Sequence, residues 1–174
     1  MGKTLIYYLN WNQDQFLIKQ TGAKKSEFQP LELGESLYND LCQIVANSWQ
    51  LMKEITPVSA HHQELHEGAY KAAIYSLVYK WELESTGLLE AWAQFGCRLA
   101  RGHYFTNGNK RTALLAMITF IQACGFGLPV EPEEILLQKW QKLWGEVVIV
   151  ESEEMAVELV KDRILLQILK YYQR

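Results

Sequence analysis

The densest chemistry in the chain is the run Gly102-His103-Tyr104-Phe105-Thr106-Asn107-Gly108-Asn109-Lys110-Arg111-Thr112, set between two apolar stretches. A glycine-bearing loop that enters a buried helix presents backbone N–H groups with no helical partner and the positive end of the helix dipole, and together these bind anions. Lys110 and Arg111 add formal charge in the first turn, where acidic residues are ordinarily favoured, so two cations there call for a compensating anion such as a phosphate. His103 lies a few residues upstream, and imidazole, which changes charge near neutral pH, suits proton transfer. Phe105, between polar neighbours, is placed to anchor the loop in an apolar core.

The elements around this loop read as helices. From Glu35 onward apolar residues recur three and four apart, and Gly or Pro fall between segments, which predicts an all-α bundle. One helix spans about Ser36 to Ile55, with Leu37, Leu41, Ile44, Val45, Trp49 and Met52 on one stripe, and stops before Thr56-Pro57. A second stripe holds Tyr70, Ala73, Ile74, Leu77, Val78 and Trp81. A third helix, Leu88 to Arg101, turns Leu89, Trp92, Ala93, Gly96, Leu99 and Ala100 inward and is ended by Gly102. The fourth, Asn109 to Cys124, is apolar almost all round, as a central buried helix should be, and Gly125 and Pro129 close it. Glu131 to Leu143 and Glu151 to Leu169 supply two more. The first 34 residues form an extension ahead of a helical domain at 35–174. In it, Thr4 to Leu9 and Gln15 to Ile18 are compatible with a small hairpin or with a short helix.

Composition narrows the function classes. The 174 residues, 49% hydrophobic and 21% charged, suit one domain with its own core. A net charge of -3 offers no general attraction for a phosphate backbone, so nucleic acid is not an expected partner. Cys42, Cys97 and Cys124 are odd in number and widely spaced, and read as reduced core residues. The first residues carry no apolar targeting segment and the longest apolar run, Thr112 to Ile121, is too short to span a bilayer, so a cytoplasmic protein without a membrane partner is expected. His62 and His66, with His61 and Glu67 nearby, have a metal-ligand spacing but lack the Glu directly after the first histidine that a zincin requires. Trp140 and Trp144, at helical spacing, read as core or groove lining.

The run His103-x-Phe105-x-Asn107-Gly108-Asn109-Lys110-Arg111 resembles the Fic/Doc signature, and the specific similarity extends over about Leu88 to Gly125. The resemblance implies a Fic/Doc-type helical bundle and a transferase that uses ATP with Mg²⁺. It implies that His103 is the base for a target hydroxyl, that Phe105 anchors the loop, and that Gly108, Asn109, Lys110 and Arg111 bind the nucleotide phosphates. Lys110 stands where the adenylylating members have a second glycine, and Leu114 where they have a further arginine. Both features resemble the Doc branch, the death-on-curing toxins, in which the γ-phosphoryl group passes to elongation factor Tu and a separate antitoxin provides restraint. The metal position, acidic in the family, is Asn107 here; a neutral amide gives up the anion–cation attraction on which Mg²⁺ sites usually rest. By position, Thr56, Ser59 and Gln63 fall in the flap that docks the target segment. The family's autoinhibitory signature has no clean copy, Thr86-x-x-x-Glu90-Ala91 being nearest.

Overall fold

Six helices and one hairpin account for the secondary structure of the residues described by the computed structural model, namely 4–11, 14–21, 35–55, 63–84, 86–129 and 131–172. The extension contains the hairpin and not the short helix: β1, Thr4–Trp11, pairs antiparallel with β2, Asp14–Thr21, in a register running from Thr4 opposite Thr21 to Trp11 opposite Asp14. The helices are α1, Glu35–Ile55; α2, Ala69–Glu84; α3, Leu88–Arg101; α4, Asn109–Ala123; α5, Glu133–Ile149; and α6, Glu153–Tyr172. Among the described residues no helix is long and apolar enough to cross a membrane.

The predicted stripes face the core, and the centre is shared by two helices. α3 packs against α2, α4, α5 and α6, and buries Leu89, Trp92, Phe95 and Leu99 together with the small residues between them. α4 lies beside it, buried through Met117 and Phe120 but exposing Thr119 and Gln122. The two approach closely because Gly96 has no side chain: a Cβ there would lie 2.6 Å from the Met117 sulfur and 3.1 Å from the Trp144 ring. That contact offsets the usual cost of glycine within a helix, about 1 kcal/mol. Phe95 meets Phe120 edge to face at 5.4 Å and Trp92 meets Phe126 at 5.0 Å, geometries that add to plain burial.

Polar ties fix the outer helices to α3. The Trp81 indole donates to Gln94 Oε1 at 2.7 Å, Gln94 donates to Glu90 at 2.9 Å, and Glu90 pairs with Lys161 of α6. Arg98 donates to Glu153 at 3.0 Å. Arg101 donates to the carbonyls of Val147 and Val150 at 2.7 and 2.9 Å, which caps the C-terminus of α5 with a cation where the helix dipole favours one.

Two boundaries and one burial differ from the pattern in the sequence. α5 continues past Leu143 and through Gly145 to Ile149 because Trp144 and Val147 are both buried, and that tertiary burial outweighs the glycine. α6 begins at Glu153, two residues later than the periodicity suggests, because Ser152 caps it: its Oγ accepts the Met155 N–H at 3.1 Å. Cys42 is only half-buried, since its position on α1 faces the margin of the packing, whereas Cys97 and Cys124 are core residues whose thiols burial pushes up to about 12 and about 11.

Glu131 ties the loop after α4 to α5 and α6 through Lys139 and Lys170. The hydrogen bond from Lys139, helped by that from Lys170, outweighs desolvation and holds the Glu131 carboxyl below its ordinary 4.5. A carboxyl depressed by folding adds stability above its unfolded pKa and loses it as pH falls through the folded value. Glu131→Gln is therefore expected to cost about 1 kcal/mol at neutral pH, the lysines being partly exposed, and almost nothing at pH well below 4. Urea unfolding of both proteins across that range checks this, and a difference independent of pH would disprove it.

Candidate functional site

The helix α3 delivers the loop through a strained residue. Gly102 at its C-cap is not left-handed (φ −76°) and donates its N–H to Arg98 at 3.0 Å, so it still belongs to the helical spiral. Glycine is needed there for room, because the Tyr104 ring folds over it and a Cβ would come within 2.1 Å of that ring. The left-handed turn that ends α3 falls instead on His103, with φ 49°. A non-glycine residue adopts that conformation at a cost of order 1 kcal/mol, so its surroundings must impose it.

A short antiparallel clip supplies that constraint. Leu65 N–H donates to Tyr104 C=O at 2.8 Å, Thr106 N–H to Gln63 C=O at 2.9 Å, and Gln63 N–H to Thr106 Oγ1 at 3.0 Å, around a bridge between Glu64 and Phe105. Gln63, expected in the flap, is thus bound directly to the loop; Thr56, Ser59, His61 and His62 lie outside the described residues. Glu64 Oε1 accepts the Gly68 N–H at 2.7 Å, ahead of the start of α2. His66 and Glu67 are exposed, and among the described residues no three ligating side chains cluster as a metal site.

Phe105 is the loop's anchor. It is 2% exposed, stacks on Trp49 with centroids 4.4 Å apart, and meets Tyr70 at 5.7 Å. Its backbone is gripped on both sides by the Asn109 side chain: Phe105 N–H donates to Asn109 Oδ1 at 3.0 Å and Asn109 Nδ2 donates to Phe105 C=O at 2.7 Å. The Asn109 carboxamide is therefore given to the loop's own shape, and what Asn109 leaves for a ligand is its backbone.

Gly108 then turns the chain into α4 with a left-handed backbone, φ 76° and ψ 13°. A Cβ there would lie 2.3 Å from Met52 Sδ and Cε, so glycine is required by conformation and by space. The first helical bond is Thr112 N–H to Gly108 C=O at 2.9 Å, and the N–H groups of Asn109, Lys110 and Arg111 precede it. The Gly108 N–H is engaged already, donating to Asn107 Oδ1 at 2.8 Å.

These residues surround one cleft of about 500 Å³, lined by Met52, Ala100, His103, Thr106, Asn107, Gly108, Asn109, Lys110 and Arg111. His103, Lys110 and Arg111 are exposed, and among the described residues neither cation has a carboxylate partner. A smaller cavity of about 150 Å³ is lined by the same two cations together with Leu114, Gln141 and Trp144. The cleft combines a base, two cations and the start of a helix, which can hold an anion and accept a proton beside it. The fit to phosphates is therefore good. The fit to Mg²⁺ is not, because no Asp or Glu lines the cleft and Asn107 offers only a neutral oxygen that already accepts the Gly108 N–H. Met52, Ala100 and Thr106 escaped the reading of the sequence. Met52 stood in the apolar stripe of α1, and nothing in one dimension places it under Gly108.

The family model described as "Fic/DOC family" matches residues 15–121, more than half the chain, with the whole loop inside the match. No curated protein and no solved structure gives a match.

Because the loop hangs on one ring, Phe105→Ala is expected to cost about 3–5 kcal/mol in urea unfolding, while Phe105→Leu, which keeps most of the volume, should cost less than half of that. A cost below about 1 kcal/mol for the alanine variant would show that Phe105 does not anchor the loop.

Proposed function

The chain belongs to the Fic/DOC family, whose members are nucleotidyl- and phosphotransferases, and from that premise we propose that it is a Doc-like enzyme that moves the γ-phosphoryl group of ATP to a hydroxyl of a target protein. The observation that carries this reading is that His103, Lys110 and Arg111 line one cleft at the start of α4. His103 takes the proton of the target hydroxyl, the hydroxyl oxygen forms a bond to the γ-phosphorus, and the bond from that phosphorus to the β–γ bridging oxygen breaks, leaving ADP. The Lys110 and Arg111 cations and the first N–H groups of α4 hold the phosphate charge; chemistry of this kind rests on positioning and electrostatics. The left-handed backbone of His103 sets where its side chain leaves the loop.

Transfer of phosphoryl in preference to adenylyl is favoured by Lys110 and by Leu114, which is buried and places no charge beside the cleft. In the same reading the chain is a growth-arresting cytoplasmic toxin that acts on a translation protein resembling elongation factor Tu. An antitoxin restrains it, since Glu90 of the nearest autoinhibitory run is bound instead by Lys161 and Gln94. Asn107 favours a second reading, a relative that binds nucleotide without turnover.

The test is to incubate the protein and His103→Ala with bacterial extract and ATP labelled at the α- or the γ-phosphate. Label from the γ-position alone, retained on one extract protein and lost in His103→Ala, is the expected outcome. Label from the α-position would place the chain with the adenylylating members. Nucleotide binding with no His103-dependent label would establish the silent relative.

A further inference from the structure

The residue that departs from the family pattern does specific work in this structure. Asn107 lines the cleft, and its Oδ1 accepts the Gly108 N–H at 2.8 Å. This contact orients the carboxamide: one lone pair of the oxygen is taken by the backbone, and Nδ2, a donor of two N–H bonds, is offered beside a neutral oxygen that carries no charge for a cation. A divalent ion would share that neutral oxygen with the Gly108 N–H and would find no carboxylate in the cleft wall. Glu64, brought next to the loop by its bridge to Phe105, does not line the cleft and places Oε1 on the Gly68 N–H. The charge that an ion would supply is present in another form, in Lys110 and Arg111, which no described carboxylate neutralises, and in the positive end of α4.

We propose that this cleft binds the polyphosphate of its nucleotide directly, without a divalent cation, with Asn107 locking the loop and donating to a phosphate oxygen while Lys110 and Arg111 carry the charge. This rests on the reading that the cleft takes a nucleotide, and the experiment separates the two. ATP is titrated calorimetrically into the wild-type protein in EDTA and again with excess Mg²⁺. The affinity should be unchanged within about twofold, or weaker with Mg²⁺, because the ion competes with the protein for the same phosphate oxygens. Lys110→Ala and Arg111→Ala should each weaken binding in EDTA about tenfold, as lost charge-assisted hydrogen bonds do. Asn107→Asp should reverse the dependence: about tenfold weaker in EDTA, where a carboxylate faces the phosphates, and restored by Mg²⁺, which also shows that the variant is folded.

Wild-type binding that appears only with Mg²⁺, or tightens tenfold with it, overturns the proposal and leaves the nucleotide reading standing. Absence of ATP binding in both buffers removes the two together. The wild-type comparison decides the matter by itself if Asn107→Asp does not fold.

Discussion

Phe105 sits in a dry aromatic seat made by Trp49 of α1 and Tyr70 of α2, and Asn109 grips its backbone from the first residue of α4. That seat is the loop's apolar hold, since Thr106, Asn107 and His103 are all exposed and polar contacts hold Thr106 and Asn107. Loops carry function when a rigid scaffold positions them, and here a buried ring and a carboxamide are central to it, joined by the clip from 63–65. Lys53 adds a cation 4.2 Å above the Trp49 ring, so the seat is closed from its far side as well.

The same economy governs the two ends of the loop. At one end the left-handed turn is placed on a histidine because the neighbouring glycine is needed under Tyr104. At the other it is placed on a glycine because Met52 leaves no room for anything larger. Arg101, the last residue of α3, ties the end of that helix to α5, so His103 is attached to a helix that cannot shift alone. The clip from 63–65 bonds Tyr104 and Thr106, the residues on either side of Phe105, from outside. An imidazole and two cations are thereby held around one cleft by contacts that are mostly backbone and aromatic.

Asn107 shows how one neutral amide changes the electrostatics of such a site. An aspartate there would attract a cation and oppose the phosphates; the amide makes its hydrogen bond to the next residue without adding negative charge and leaves Lys110 and Arg111 unopposed. The positive character of the cleft then comes wholly from the protein, which is the physical basis for expecting phosphate binding without a metal ion.

The helices, their inward faces and the chemical loop were legible in the sequence, because burial imposes a period of 3.6 and because a run such as His103 to Arg111 concentrates polar residues between apolar helices. So were the anchoring of Phe105 and the capping of α4 by Gly125, whose φ of 85° closes a Schellman turn with Phe126 bonded to Ile121. The hairpin was legible only as one of two alternatives, since eight residues rich in aromatic and β-branched types satisfy a strand and a short helix almost equally until a partner strand pairs with them. Sequence alone could not decide that His103 and not Gly102 turns left-handed, that the Asn109 side chain serves the loop, that Asn107 occupies the Gly108 N–H, or that Met52 underlies the cleft. Each of these depends on which atoms from distant parts of the chain compete for the same space or the same hydrogen bond, and that competition exists only once α1, α3 and α4 are packed together.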